Sequence, residues 1–346
     1  VDLTSAALLG VGVSAATAAA VASLVAWAGP VDNPRARGFH AHPTVTSGGL
    51  AIMAGASLGL IAFTLASLEG RADLGRAALT FGFAGVVGLM GAVDDLFDIG
   101  AKAKLVLQAL VGLVFAVLVA RIEVLPLAPG LIVPLGMVVG ALGTALWLVV
   151  VTNAVNFMDG ANGLAAGCVA VALAGLAAAG LDHGQPAVAG VALAAAAAIV
   201  GFLPWNLPGK RLFQGDVGAL FTGFLVAGLA VTAATAAPDR AVSLYLVPFA
   251  LTPFLTDVLL TLAIRAKRRE SLFQAHRDHL YQLWLTRTGG SHAALAVRAW
   301  GLTGVYTLAG LAADRAPVGV QPLLYAAGVG VCVAGWVAVR RRLEHQ

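Results

Sequence analysis

Charge is scarce in this chain. Charged residues make up 11% of its 346 positions, where a soluble domain carries about 25%. Too few polar side chains remain to cover a water-facing surface, which excludes an ordinary soluble enzyme. Cysteine is nearly absent, with Cys168 and Cys332 the only two. Both lie inside apolar segments, so they read as small packing residues, not as a disulfide or a metal pair. No polar stretch is long enough for a separate soluble domain, and no sustained internal repeat is present. The net charge of +4 comes from basic residues scattered through short loops. That distribution does not indicate nucleic acid as a partner.

Apolar and small residues fill the space. The chain is 60% hydrophobic and holds 42 glycines, a composition that lets transmembrane helices approach closely. A hydrocarbon core takes about 20 apolar residues per helix. That ruler predicts eleven spans, at 3–28, 48–68, 77–93, 103–120, 131–151, 164–181, 187–203, 217–236, 242–264, 293–313 and 318–339. The expected fold is an all-α integral membrane protein, a single polytopic domain over residues 1–346. The first run lacks a basic leader and enters a polar segment directly. It is expected to be a retained span, not a cleaved signal peptide.

Orientation follows from the loops. Fifteen of the 21 Lys and Arg residues fall in one alternate set of loops. Only Arg71, Arg76, Arg121, Arg240 and Arg315 fall in the other, with Arg298 at a span edge. The positive-inside rule then puts the amino terminus outside and the carboxyl terminus in the cytoplasm. Five polar cassettes, at 32–49, 94–104, 153–163, 205–216 and 265–282, all fall on the cytoplasmic side.

Each cassette has a plain reading and a chemical one. Asp94 and Asp95, with Asp98 behind them, precede Lys102 and Lys104. They form either a solvated loop paired to Lys102 or a carboxylate pair that binds a metal or takes a proton. Asn153, Asn156 and Asp159 recur at i, i+3 and i+6, which sets them on one helical face. Helix capping needs one such residue. Three suit recognition of a base or sugar together with a metal, and Gly160 and Gly163 permit a tight turn beside Asn162. Asp216, after Gln214 and Gly215, opens a helix, where an acid is good capping. Three carboxylates meeting from separate helices repel one another, and a divalent cation bound by oxygen ligands is the usual remedy. His276, Arg277, Asp278 and His279 follow the basic run 265–269, forming either a membrane anchor or a diphosphate clamp. Asp32, Arg35, His40, His42 and Thr44 add further phosphate donors. Asp257, behind Pro253, either orients the adjoining loop or pairs with Arg265. The loop 265–292 is also expected to hold an amphipathic helix near the headgroups.

Together these cassettes resemble the polyprenyl-phosphate N-acetylhexosamine-1-phosphate transferases. That family includes the phospho-MurNAc-pentapeptide translocase and the initiating transferases of O-antigen and teichoic acid linkage units. The matching residues are Asp32-x-Pro…His40…Gly48-Gly49, Asp94-Asp95…Lys102, Asn153-x-x-Asn156-x-x-Asp159-Gly160, Gly215-Asp216-x-Gly218 and His276-Arg277-Asp278-His279. The resemblance implies Mg²⁺-dependent (alternatively Mn²⁺-dependent) transfer of a sugar phosphate from a UDP-N-acetylhexosamine to undecaprenyl phosphate, with release of UMP. It implies a bacterial cytoplasmic-membrane enzyme and a homodimer. Asp216 matches the metal ligand and Asp94 the proposed base, with Asp95 supporting either. Asn156 and Asp159 match positions near nucleoside and metal, and His276 and His279 match the histidine motif. Asn162 stands where many members have Asp, and the histidine cassette has two imidazoles, not three. Both features resemble the O-antigen or capsule initiators. The rival class is a secondary transporter, which requires acids near mid-span and an inverted repeat. An intramembrane aspartyl protease, whose Gly-Asp signature Gly215-Asp216 resembles, requires a Tyr-Asp partner inside another span, and the sequence has none.

Overall fold

The computed structural model describes residues 2–29, 31–32, 44–67, 74–97, 99–207, 211–272, 274 and 276–345. Helices dominate. Among the described residues nine are long and apolar enough to cross a membrane. They are α1 (Leu3–Ala28), α2 (Gly49–Ala66), α3 (Leu74–Phe97), α4 (Ala101–Leu118), α5 (Gly136–Met158), α6 (Leu164–Asp182), α7 (Pro186–Asn206), α8 (Gly215–Ala234) and α13 (Gln321–Glu344). The protein is a multi-pass membrane protein.

By that measure the expected eleven is not reached. The expected span 242–264 is broken into α9 (Leu246–Ala250) and α10 (Thr252–Lys267) at Leu251. Pro253 in the first turn of α10 lacks the N–H that a continuous helix needs. The expected span 293–313 is α12 (His292–Asp314), whose apolar run is diluted by Arg298, Thr303 and Thr307. The expected start at 131 is also corrected. Strands β3 (Val124–Ala128) and β4 (Leu131–Pro134) pair antiparallel, so α5 begins only at Gly136. A second hairpin pairs β1 (Val31–Asp32) with β2 (Thr44–Val45). Two small hairpins therefore qualify the all-α expectation.

The core is centred on α8, whose most apolar stretch is 89% buried, against 11% for α13. Small residues make that depth accessible. A Cβ on Gly49 would overlap the backbone of Gly218, so α2 and α8 cross there in direct backbone contact. Larger side chains fill the remainder, with Phe81 edge-on to Phe221 at 5.6 Å and Phe115 edge-on to Phe224 at 5.8 Å. Cys168 and Cys332 are free thiols. The helix α11 (Leu280–Thr288) does form in the last loop. It does not merely lie at the headgroups, because Tyr281 and Leu285 join the main hydrophobic core.

Candidate functional site

Four helix ends meet at one end of the bundle, and each brings a polar side chain. Asp94 and Asp95 occupy the last turn of α3, Lys104 the first turn of α4, Asn156 the last turn of α5, and Asp216 the first turn of α8. Lys104 Nζ lies 2.5 Å from Asp94 Oδ2 and 2.5 Å from Asp216 Oδ2. The remaining oxygen of Asp216 accepts from Asn156 Nδ2 at 2.8 Å. Asp94 Oδ1 takes the backbone N–H of Ile99 at 3.0 Å. The cation paired with Asp94 is thus Lys104, whereas Lys102 is exposed. Two residues of helix, about 200° of rotation, separate the two lysines, and Lys104 is the one that reaches Asp94 and Asp216.

Asp95 acts on the backbone that carries Asp216. Its two oxygens accept the backbone N–H groups of Asp216 at 3.1 Å and Val217 at 3.3 Å, capping the open end of α8. Gly215 makes room for that cap: its φ is +69°, and a Cβ there would sit 2.6 Å from Asp95 Oδ2. Asp95 therefore sets where Asp216 stands.

The neighbouring turn brings Asp159. It caps the C-terminus of α5. Packed protein around it and the nearby Asp216 charge raise its pKa well above the usual carboxylate range. Gln214, just before Asp216, is buried, with its side chain against Asp159 and its amide oxygen without a hydrogen-bond partner. Asn153 departs from expectation. Its amide donates to Gln108 Oε1 of α4 and to Val149 O at 2.8 Å, so it ties α5 to α4. Asn162 is buried in the turn after Asp159 and gives its backbone N–H to His292 Nδ1 at 3.1 Å.

The histidine loop closes onto the same turn. Tyr281 Oη donates to Phe157 O at 3.0 Å, and the His279 ring stacks on Phe157 with centroids 6.0 Å apart. His276 and His279 lie 4.9 Å apart, ring to ring. Burial, with neighbouring positive charge, pushes both imidazoles down to about 4. At neutral pH they are uncharged, so their part in the expected clamp would be hydrogen bonding and not charge. Arg265 is held by Asp278 and by Glu270 at 2.9 Å, and Arg277 is exposed.

The first cassette joins through its backbone. Gly48 N donates to Phe213 O and Gly49 N to Gln214 O, each at 2.8 Å, and Phe213 N returns a bond to Val45 O at 2.9 Å. Asp32 and Thr44 face each other across the β1–β2 pair. Their side chains lie outside the described residues, as do Arg35, His40, His42 and Asp98.

A metal reading can be tested on these donors. Among the described residues no three His, Cys, Asp or Glu side chains form a complete metal-binding group. The expectation of three carboxylates neutralised by a cation is corrected to the extent that Lys104 already bridges Asp94 and Asp216. What remains still fits a hard cation. Asp159 and Asp216 repel each other, and Gln214 offers an unpartnered amide oxygen. Mg²⁺ takes one or two carboxylates and fills its other positions with water and substrate phosphate.

These features define a class: a multi-pass helical membrane protein with a carboxylate–lysine–amide site where its helices end. The family model for glycosyl transferase family 4 matches residues 77–234, the stretch that carries Asp94, Asp95, Asn156, Asp159 and Asp216. A "Probable undecaprenyl-phosphate N-acetylglucosaminyl 1-phosphate transferase" of Bacillus subtilis (strain 168) is 31% identical over 205 residues, 59% of this chain and 55% of that one. The chain thus spans about half the length of that relative. It covers more of two others. The "Phospho-N-acetylmuramoyl-pentapeptide-transferase" of Mycolicibacterium paratuberculosis is 30% identical over 308 residues, 76% of this chain and 81% of that one. The "Decaprenyl-phosphate N-acetylglucosaminephosphotransferase" of Mycolicibacterium smegmatis is 31% identical over 299 residues, 79% and 73%. The chain belongs to glycosyl transferase family 4.

Proposed function

We propose that the protein transfers an N-acetylhexosamine-1-phosphate from a UDP-sugar to undecaprenyl phosphate in the bacterial cytoplasmic membrane. The observation that carries this reading is the single cation Lys104 held between Asp94 and Asp216 beside the amide of Asn156. Such a site handles phosphate at a lipid boundary. The named acceptors of the relatives, undecaprenyl and decaprenyl phosphate, have that chemistry.

In the reaction, a phosphate oxygen of the lipid attacks the sugar-bearing phosphorus of the nucleotide sugar. The bond from that phosphorus to the bridging oxygen breaks, and UMP leaves. One anhydride replaces another, so positioning and charge neutralisation matter more than a strong base. With a second pKa near 6 the lipid phosphate is already largely ionised at neutral pH. Lys104 supplies positive charge where the phosphates gather. Asp95 holds the α8 terminus, and with it Asp216, in place. Asn156 orients Asp216, and His276 and His279 donate and accept hydrogen bonds as neutral groups. Asp159, Asp216 and Gln214 would hold Mg²⁺ or Mn²⁺, which supplies charge neutralisation at the diphosphate. The two-imidazole cassette and Asn162 favour a surface-glycan initiator (O-antigen or capsule type) over the peptidoglycan branch. A homodimer is part of the same reading.

The test is UMP release by the purified protein with undecaprenyl phosphate, Mg²⁺ and a panel of UDP-N-acetylhexosamines, with and without EDTA. Metal-dependent UMP from one sugar supports the reading and names the donor. Absence of UMP with every sugar, in folded and lipid-replete protein, overturns it.

A further inference from the structure

Asp257 lies inside α10 and is buried, at 4% exposure. Its Oδ1 takes three donors: Leu280 N at 2.8 Å, Trp336 Nε1 at 2.9 Å and Thr261 Oγ1 at 3.3 Å. Three donors converging on one oxygen favour the ionised carboxylate against the cost of its burial. Its other oxygen, Oδ2, is buried with no partner. Facing it at 3.9 Å is His279 Nδ1, likewise buried and unpartnered. Arg265, the other partner weighed for Asp257, is occupied by Asp278 and Glu270.

Two orphaned polar atoms turned toward each other in a protein interior are costly, and each can relieve the other. The gap is too long for a hydrogen bond and too short for a water between them, which needs about 5.5 Å. A shift of about 1 Å by the imidazole closes it to hydrogen-bond distance. The competing donor is the backbone N–H of Gln282, which reaches the His279 side chain in a capping box. That N–H is shared with His279 O at 3.0 Å, so Nδ1 is not its sole acceptor, and a proton on Nδ1 leaves it satisfied.

We propose that Asp257 is a positioning residue for His279: its Oδ2 receives the imidazole Nδ1–H and leaves Nε2 as the lone-pair nitrogen. The neighbouring His276 is held the other way. Its Nδ1 accepts the backbone N–H of Asp278 at 3.4 Å, which leaves Nε2 as the protonated nitrogen. The two imidazoles thus carry opposite tautomers, one with an accepting Nε2 and one with a donating Nε2. That combination matches a sugar hydroxyl or an acetamido group, each of which both donates and accepts. Phosphate at neutral pH mainly accepts and would use only one of them. The helix α13 is part of the device, because Trp336 fixes Oδ1 and Arg340 Nη1 donates to Asp278 O at 3.0 Å. The use of this pair in turnover rests on the transferase reading above, whereas the tautomer does not.

The experiment is ¹⁵N-histidine NMR of the full chain in lipid nanodiscs, with His279→Gln to assign the resonance. In the wild type His279 should be protonated at Nδ1. Asp257→Asn keeps Oδ1 for Leu280 and Trp336 but turns Oδ2 into an N–H donor, so the tautomer should invert to Nε2–H. Trp336→Phe removes a donor from Oδ1 only and should leave it unchanged. A wild-type His279 protonated at Nε2 overturns the proposal, and that spectrum decides even if Asp257→Asn fails to fold. So does an unchanged tautomer in folded Asp257→Asn. In the turnover arm, Asp257→Asn should lower kcat at least about 10-fold with little change in KM. An inverted tautomer with unchanged kcat overturns the link to turnover. A wild type with no transferase activity overturns the function and leaves the tautomer result standing.

Discussion

The two ends of the bundle both bury charge, and they do so by opposite rules. At the far end from the carboxylates, charges are matched locally and tie elements together. Arg76 donates to Val119 O at 3.1 Å, to Thr235 O at 3.0 Å and to Thr235 Oγ1. His183 meets the buried side chain of Asp314 at 2.8 Å, and at the exposed rim Arg315 meets Asp182 at 2.9 Å. That end also holds a cavity of about 940 Å³, lined by residues that include Arg76, Arg121, His183 and Asp314. At the other end one lysine serves two acids, a third acid caps a helix, and Asp159 has its proton affinity raised by burial and then by Asp216. An excess of acids over bases suits the uptake of a cation, whereas balanced pairs suit scaffolding.

That contrast can be broken by substitution, and the largest effect is expected at Asp216. Asp216→Asn should lower kcat for UMP release by about 10²–10³-fold, with a smaller loss for Asp94→Asn. Equal or reversed losses at saturating Mg²⁺ would remove Asp216 from the centre of the site. Lys104→Ala comes next. It leaves Asp94 and Asp216 facing each other without their cation, so both kcat and thermal stability should fall, the latter by up to about 3 kcal/mol. A variant with full activity and unchanged melting would show that the bridge is incidental.

The opposite end should separate stability from turnover. Arg76→Ala removes three hydrogen bonds there and should cost about 2–3 kcal/mol, read by thermal unfolding in detergent, while kcat stays near wild type. Loss of kcat in a protein that is still folded at the assay temperature would erase the distinction between the ends.

The smallest effect concerns pH. His276 and His279 have folded pKa values of about 4, below the ordinary value of about 6.5. Between those values the unfolded chain binds more protons, so stability rises with pH across that window. The contribution is complete above about 6.5 and is lost as pH falls toward about 4. His276→Gln with His279→Gln should flatten the dependence of melting temperature on pH in that window. A slope identical to wild type would show that the imidazoles are not buried as neutral groups.

Much of this was legible in the linear chain. Apolar runs of about 20 residues fixed the positions of most helices, because lipid leaves a backbone no other way to satisfy itself. The interruptions between them named Asp94, Asp95, Asn156, Asp159, Asp216 and the two histidines. The exceptions have physical causes. The run 131–135 passed as helix, yet Pro134 and the turn at Gly130 made it the second strand of a hairpin. Lys102 and Lys104 are two residues apart in the same cassette, and only the direction of α4 decides which reaches Asp94. Asn153 shares a face with Asn156, but Gln108 on α4 claims it.

The amino-acid sequence by itself determined that this chain is embedded in a membrane and that its polar chemistry collects where helices end. Apolar length and local composition are properties of contiguous residues, and contiguous residues are what a sequence displays. Tertiary structure alone decided the partners. It made Asp95 the cap of α8, gave Lys104 two acids, and brought Trp336 of α13 onto Asp257, 79 residues away. A hydrogen bond depends on distances of about 3 Å between groups that chain order leaves far apart, and only packing sets those distances.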